Sequence, residues 1–155
     1  MSELDHYHTF VRYNTWANRR AAAMVEGLTD EQPHRPLLLL SHLLRAERVW
    51  LGRIQGSAGA ALALWETDTL TVCRERIAGN TALFEAVLAR LEPEALAQLT
   101  HYTDTQGRPY STSLSGILDH VFNHSTHHRG QLALLVRDAG GVPQPLDLIA
   151  YLRTV

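Results

Sequence analysis

The 155 residues predict an all-α fold, a four-helix bundle with a short β-hairpin before the last long helix. Three observations carry this expectation. Apolar residues recur at three-or-four spacing along four long stretches, as one buried helical stripe requires. Proline and glycine clusters interrupt those stretches. In one place only, the period gives way to β-branched and aromatic residues around a turn signal.

The first helix is expected from about Glu3 to Leu28. Tyr7, Val11, Asn14, Ala17, Ala21, Met24 and Leu28 form its stripe, and Thr29-Asp30 with Pro33 and Pro36 end it. The second runs from about Leu37 to Gln55, with a stripe of Leu39, Leu43, Ala46 and Trp50, flanked by Leu38, His42 and Val49. A loose Gly/Ala segment follows, Gly56 to Ala63. The third helix starts near Asp68, a plausible N-cap, and Leu70, Cys73, Ile77, Phe84, Val87 and Leu91 carry it toward Pro93. The hairpin pairs Leu99–Thr103 with the strand at Tyr110 across Asp104-Thr105-Gln106-Gly107. The fourth helix is capped by Ser113 and runs to about Ala139, where Gly140-Gly141, Pro143 and Pro145 stop it. The tail from Pro145 to Leu152 has room for two helical turns. Each amphipathic stripe needs a partner, which favours a bundle. The long passage between helices two and three, and the hairpin before helix four, favour crossovers over simple up-and-down order.

Composition narrows the function. The length suits one domain over residues 1–155, and fourteen basic against sixteen acidic residues give a net charge of −2. No Lys/Arg run marks a nucleic-acid binder, and Arg19-Arg20 and the Arg74/Arg76 pair read as solvated helix faces. No apolar run nears the roughly 20 residues of a membrane span, and the N-terminus lacks a signal-peptide pattern. With the single Cys73, no internal disulfide can form, so a reducing, cytoplasmic setting is expected.

Nine histidines stand out, four of them (His120, His124, His127, His128) within nine positions. His124 and His128 sit one helical turn apart, roughly 40° apart in direction, so both imidazoles leave one face. That spacing lets two ring nitrogens reach one metal at about 2.0–2.1 Å. Both lie in line with core positions: His124 with Ile117 and Val121, His128 with Leu114, Leu118 and Leu132. Buried imidazoles cost free energy unless their nitrogens are satisfied, by a metal or by a hydrogen-bond network. An i, i+4 pair alone is a weak signal; His42, directed inward from helix two with Leu38, Ala46 and Val49, strengthens it. Alone, His42 is better read as a core histidine bonded to a backbone carbonyl. Together, three neutral nitrogens with open positions match a catalytic metal site. His120, one turn before His124 on nearly the same face, is an alternative ligand, and His127 points close to the direction of His120. Gly130 inside a helix costs about 1 kcal/mol relative to alanine; it reads either as a close approach by another backbone or a ligand, or as a tolerated glycine. No His-Glu-x-x-His pattern of a zinc protease is present. Adjacent Ser41 and His42 point about 100° apart and cannot form a hydrolase pair. Cys73, on an apolar stripe, packs rather than attacks.

Three segments resemble the DinB-like family, the damage-inducible and YfiT-type proteins: Tyr13-Asn14-Thr15-Trp16-Ala17-Asn18, Ser41-His42-Leu43-Leu44-Arg45-Ala46-Glu47-Arg48-Val49-Trp50-Leu51, and His120-Val121-Phe122-Asn123-His124-Ser125-Thr126-His127-His128-Arg129-Gly130-Gln131. Their order and separation fit along nearly the whole chain. The resemblance implies a four-helix bundle, often a homodimer, that holds a divalent metal, zinc or nickel, through His42, His124 and His128. It also implies, for part of the wider superfamily, transferase or isomerase chemistry with a low-molecular-weight thiol such as bacillithiol or mycothiol. Tyr13, Asn14, His120, His127 and Gln131 are the candidates for supporting or substrate-contacting roles. The leading expectation is a metal-dependent transferase acting on a small-molecule substrate, with a metal-dependent hydrolase as its variant. A non-catalytic metal-binding stress-response protein and a bundle with merely buried histidines are the competing classes. No nucleic-acid or membrane partner is expected.

Overall fold

Serine at position 2 opens the first helix with a reciprocal cap. Its hydroxyl accepts from the Asp5 N–H at 3.1 Å, while the Asp5 carboxylate accepts from the Ser2 N–H at 2.8 Å; two otherwise orphaned backbone donors are satisfied. The computed structural model describes residues 2–28, 34–57 and 62–155. Its elements are α1 (Glu3–Glu26), α2 (His34–Ile54), α3 (Leu70–Leu88), a 3-10 turn (Pro93–Ala97), β1 (Leu99–Thr103), β2 (Pro109–Ser113), α4 (Leu114–Asp138) and the short α5 (Leu148–Leu152). The stop expected at Thr29-Asp30 and Pro33, and the middle of the Gly/Ala segment, lie outside the described residues.

Contacts between named side chains fix the bundle's order. Along α1 and α3, His8 faces Glu85, Thr15 meets Thr81 and Glu26 meets Arg74, so these helices are antiparallel. Tyr7 donates to Asp119 and Asn14 accepts from Arg129, so α1 and α4 run parallel. Ser41 lies against Cys73 and Glu47 against Asn80, which makes α2 and α3 parallel. His42 faces His128 and Trp50 faces His120, which sets α2 antiparallel to α4. The order is therefore up, down, down, up, with the first and third connections crossing diagonals. The crossovers were expected before helices three and four: α2 and α3 do run parallel and the third connection does cross a diagonal, whereas the diagonal first connection was not foreseen.

The β-hairpin forms where expected, with Leu99 opposite Ser113 and Thr103 opposite Pro109. Asp104 closes its turn by accepting from the N–H groups of Gln106 and Arg108, and Gly107 supplies φ +77°. Few side-chain-bearing residues tolerate that conformation. Ser113 caps α4 as expected, accepting from the Gly116 N–H at 3.2 Å. At the other end Gly140, at φ +80°, terminates it.

Several expectations needed correction. The cap of α3 is Thr69, whose hydroxyl accepts from the Val72 N–H; Asp68 is spent on Arg45 and Arg76, so Arg76 is not simply solvated. The helix also ends at Leu88 rather than near Pro93, which opens the 3-10 turn. On α2 the deepest residues are Leu40, Ser41, Leu43, Leu44, Glu47 and Leu51, not the stripe of Leu39, Leu43, Ala46 and Trp50. The reason is that every residue from Leu40 to Glu47 is buried: α3 and α4 cover one side, and the segment before α3 covers the other. No single stripe can be read from such a helix.

Among the described residues two large apolar clusters fill the interior, and a small third gathers Tyr13, Ala17 and Tyr151. Of the large pair, one gathers Tyr7, Val11, Leu51, Phe84 and Phe122 near the hairpin end; the other gathers Leu40, Leu43, Leu44, Ile77, Leu132 and Val136 toward the opposite end. Each fully buried leucine contributes about 1.5–3 kcal/mol. Cys73 belongs to the second cluster, fully buried, with burial pushing its thiol pKa up. It packs, as its position on the stripe requires.

Between the clusters lies a polar layer. The Glu47 carboxylate, on α2, accepts at one oxygen from Asn14 (2.8 Å) and Asn18 (3.0 Å) of α1 and from Ser125 (2.9 Å) of α4. Its other oxygen accepts from Asn80 of α3 at 3.1 Å. One carboxylate thereby touches all three other long helices. Arg129 supplies the opposite charge, donating to the side-chain oxygens of Asn14 and Asn18. The two amides relay between acid and base, which satisfies most of a layer that would otherwise be costly to bury. Arg129 Nε alone is left without a partner among the described residues.

Candidate metal centre

His42 reaches the site from α2, and His124 and His128 reach it from α4. The antiparallel crossing of these two helices brings the three rings together. Ring centroids are 4.4 Å apart for His124 and His128, 4.6 Å for His42 and His128, and 5.4 Å for His42 and His124. One nitrogen of each ring can be chosen so that all three lie within 4.8 Å of one another. Among the described residues, no other histidine, cysteine or carboxylate joins this group.

The site stands at the rim of the bundle, not on its axis. His42 is buried, His128 is 9% exposed and His124 is half-buried. On α4 the deep positions between the two histidines' turns belong to Ser125 and Arg129. His128 is buried, as its alignment with the core positions implies, whereas His124 lies half-buried on the flank of the stripe.

Outer hydrogen bonds decide which nitrogens face inward. The Nδ1 of His42 is 3.0 Å from the Leu64 carbonyl oxygen, which can only accept, so Nδ1 carries the proton and Nε2 keeps its lone pair. The carbonyl-bonded core histidine and the candidate ligand are here the same residue. His128 Nδ1 is 2.8 Å from the Gln131 side-chain oxygen, and the Gln131 amide nitrogen in turn lies 3.1 Å from His127 Nε2. Gln131 therefore fixes the His128 tautomer with its Nε2 free. The Nε2 atoms of His124 and His128 stand 3.1 Å apart. Two nitrogens each about 2.0–2.1 Å from one ion would be separated by roughly that distance. The chemistry of the donor set, three imidazole nitrogens, fits a divalent metal.

The neighbours divide clearly. His120 lies against Trp50 (5.0 Å) and 5.6 Å from the His124 ring, outside the converging group. His127 is exposed and meets only Gln131 and the edge of His128. Tyr13 and Asn14 do not come to the imidazoles. Tyr13 donates to the Leu146 carbonyl at 2.8 Å, and Asn14 belongs to the Glu47 layer. Their α1 face looks into the bundle, behind α4. Among the described residues a Cβ added at Gly130 would meet nothing within 4 Å, so no backbone of theirs from another element approaches there. Sequence reasoning missed Leu64 and Trp65, which cover His42: the Trp65 ring stacks on it at 3.7 Å and 11°. The only signal was one tryptophan in a segment of small residues.

Burial holds the pKa values of His42, His124 and His128 below the ordinary histidine value. His124 is lowered to about 4, first by burial and then by the like charges His128, His42, His120 and His127 would carry. The unfolded chain's histidines titrate near 6.5. It therefore takes up protons that the folded protein refuses, and stability complete above pH 6.5 is lost as pH falls toward the folded value. The urea midpoint of metal-free protein should decline steadily from pH 7 to 5, above the carboxylate range, and His124→Gln should flatten the decline. A midpoint flat over that interval would contradict the burial argument.

The same arrangement of chain is found in known proteins. The family model described as "DinB family" matches residues 1–154. Protein DinB of Bacillus subtilis (strain 168) is 27% identical over 154 residues, covering 90% of each chain. The crystal structure of a DinB-like protein from Bacillus cereus superposes with a TM-score of 0.64 at 25% identity, covering 88% of this chain and 94% of the other. Since the match runs through all three motifs and both ligand-bearing helices, this chain belongs to the DinB family.

Proposed function

We propose that the protein is a metal-dependent enzyme whose ion is held by His42, His124 and His128, and that it transfers a low-molecular-weight thiol to an electrophilic small molecule. The observation that carries this reading is the convergence of three imidazole nitrogens within 4.8 Å, with no fourth protein ligand beside them among the described residues. Three ligands are too few to close a structural site and leave a position for an exogenous group. A bound divalent ion would supply the positive charge that keeps a coordinating thiol deprotonated at neutral pH.

The chain's own residues prepare that position. Leu64 and Gln131 orient His42 and His128, and the half-buried His124 leaves the rim open to solvent on the side of exposed His120 and His127. Beside the site lies a cleft of about 790 Å³, bordered among the described residues by Val49, Arg53, Leu64, Tyr102 and Tyr110. None of the three histidines lines it, but it shares Leu64 with the site, and its size suits a small-molecule substrate.

The test is turnover of metal-loaded protein with a panel of thiols and electrophiles, bacillithiol and mycothiol included. Thioether formation that disappears in His42→Ala is the expected result. Full metal occupancy without turnover for any thiol would leave a non-catalytic metal-binding protein.

A further inference from the structure

The segment Leu62–Thr69 has no regular structure, yet it is anchored more firmly than most loops, and its anchors flank His42. Arg45, one turn beyond His42 on α2, is 6% exposed. Its guanidinium grips Asp68 with two nitrogens, at 3.0 and 2.6 Å, and donates to the Ala63 carbonyl at 2.8 Å and to Glu66 at 3.3 Å. Asp68 is held from two further directions, by Arg76 of α3 at 2.7 Å and through its own N–H by Ser41 Oγ at 2.9 Å. Between the residues so gripped stand Leu64, whose carbonyl meets His42 Nδ1 at 3.0 Å, and Trp65, stacked on the His42 ring while 59% exposed.

From this arrangement we infer that Arg45 and Asp68 form a positioning clamp for the metal centre, acting through Leu64 and Trp65 to set the tautomer and ring plane of His42. The inference rests on the metal reading above for its purpose, though not for its geometry. A planar guanidinium carries five donors in a fixed fork, so it grips the Asp68 carboxylate with two nitrogens while reaching the Ala63 carbonyl, a geometry the point-like ammonium of lysine does not reproduce. Partners that orient a ligating histidine from outside characteristically change metal affinity by roughly 10–100-fold. Trp65 adds a flat cover on the solvent side of the ring, which fixes its plane.

Two readouts test the clamp. The first is the imidazole 15N spectrum of His42 in metal-free protein: the wild type shows Nδ1 protonated, and Arg45→Lys and Asp68→Asn show mixed tautomers. The second is cobalt(II) affinity by chelator competition, with the ion's visible absorption as a record of geometry. Arg45→Lys, which keeps the charge, should weaken cobalt binding by roughly 10–100-fold and change the spectrum. Trp65→Ala, at an exposed position, should weaken it less, and Trp65→Phe should restore it. A folded Arg45→Lys protein with wild-type tautomer, affinity and spectrum overturns the clamp. Wild-type protein that takes up no cobalt but shows the fixed tautomer overturns the metal reading instead, so the two failures are distinguishable. Should Asp68→Asn fail to fold, the Arg45→Lys and Trp65 variants decide alone.

Discussion

Glu47→Ala is expected to lower the stability of the protein by about 3–5 kcal/mol, the cost of removing one partner from a buried charged network. The carboxylate is 2% exposed and accepts from Asn14, Asn18, Asn80 and Ser125. Its loss strands four buried donors, each costing about 1–3 kcal/mol where relaxation or water does not rescue it. It also leaves Arg129 as an uncompensated buried charge. For a chain of this length the thermal midpoint should fall by roughly 10 °C or more. Chemical denaturation checks the figure. Glu47→Gln should cost less, because one oxygen still accepts while the new amide nitrogen faces donors. A loss below about 1 kcal/mol in the alanine variant would mean that the layer relaxes or hydrates freely, contrary to its packing between two apolar clusters.

The second large effect is expected on metal loading. A ligand that binds only the folded state stabilises it by about 2.7 kcal/mol at a hundred times its dissociation constant. Zinc or nickel at that level should therefore raise the thermal midpoint of this chain by roughly 5–10 °C. One equivalent should bind untagged protein. Alanine at His42, His124 or His128 removes a direct ligand, so the loss in affinity should exceed the roughly 10–100-fold typical of outer partners. His120→Ala and His127→Ala should retain the metal, since neither ring belongs to the converging group. Elemental analysis and calorimetric titration measure both. If His120→Ala lost metal as completely as His124→Ala, the assignment of ligands within α4 would be wrong.

The Glu47 layer and the metal centre meet on α2 and α4. Glu47 lies five residues after His42, and Ser125, which donates to it, sits between His124 and His128. The carboxylate that ties the bundle together therefore also sets the spacing of the two ligand-bearing helices. This accounts physically for motif residues such as Asn14, Asn18 and Arg129, which stand away from the imidazoles. They brace the scaffold; of the three, only Asn14 was a sequence candidate for the site, and its amide is spent on the Glu47 layer.

What the sequence determined by itself were features governed by short-range rules. Three-or-four periodicity located the long helices, turn chemistry at Asp104–Gly107 and the cap at Ser113 located the hairpin and the start of α4, and i, i+4 spacing put His124 and His128 on one face. All of these act within a turn or two of chain, where geometry follows from residue type alone. Tertiary structure decided the rest. Four histidines clustered on α4 are nearly equivalent as a sequence, and only the crossing with α2 brings His42 to two of them while leaving His120 beside Trp50. The all-round burial of Leu40–Glu47, the grip of Arg45 on Asp68 and the cover of Leu64 and Trp65 depend on an aperiodic segment folding back over α2. No local rule specifies which distant surface such a segment will meet; that is settled when packing closes the bundle.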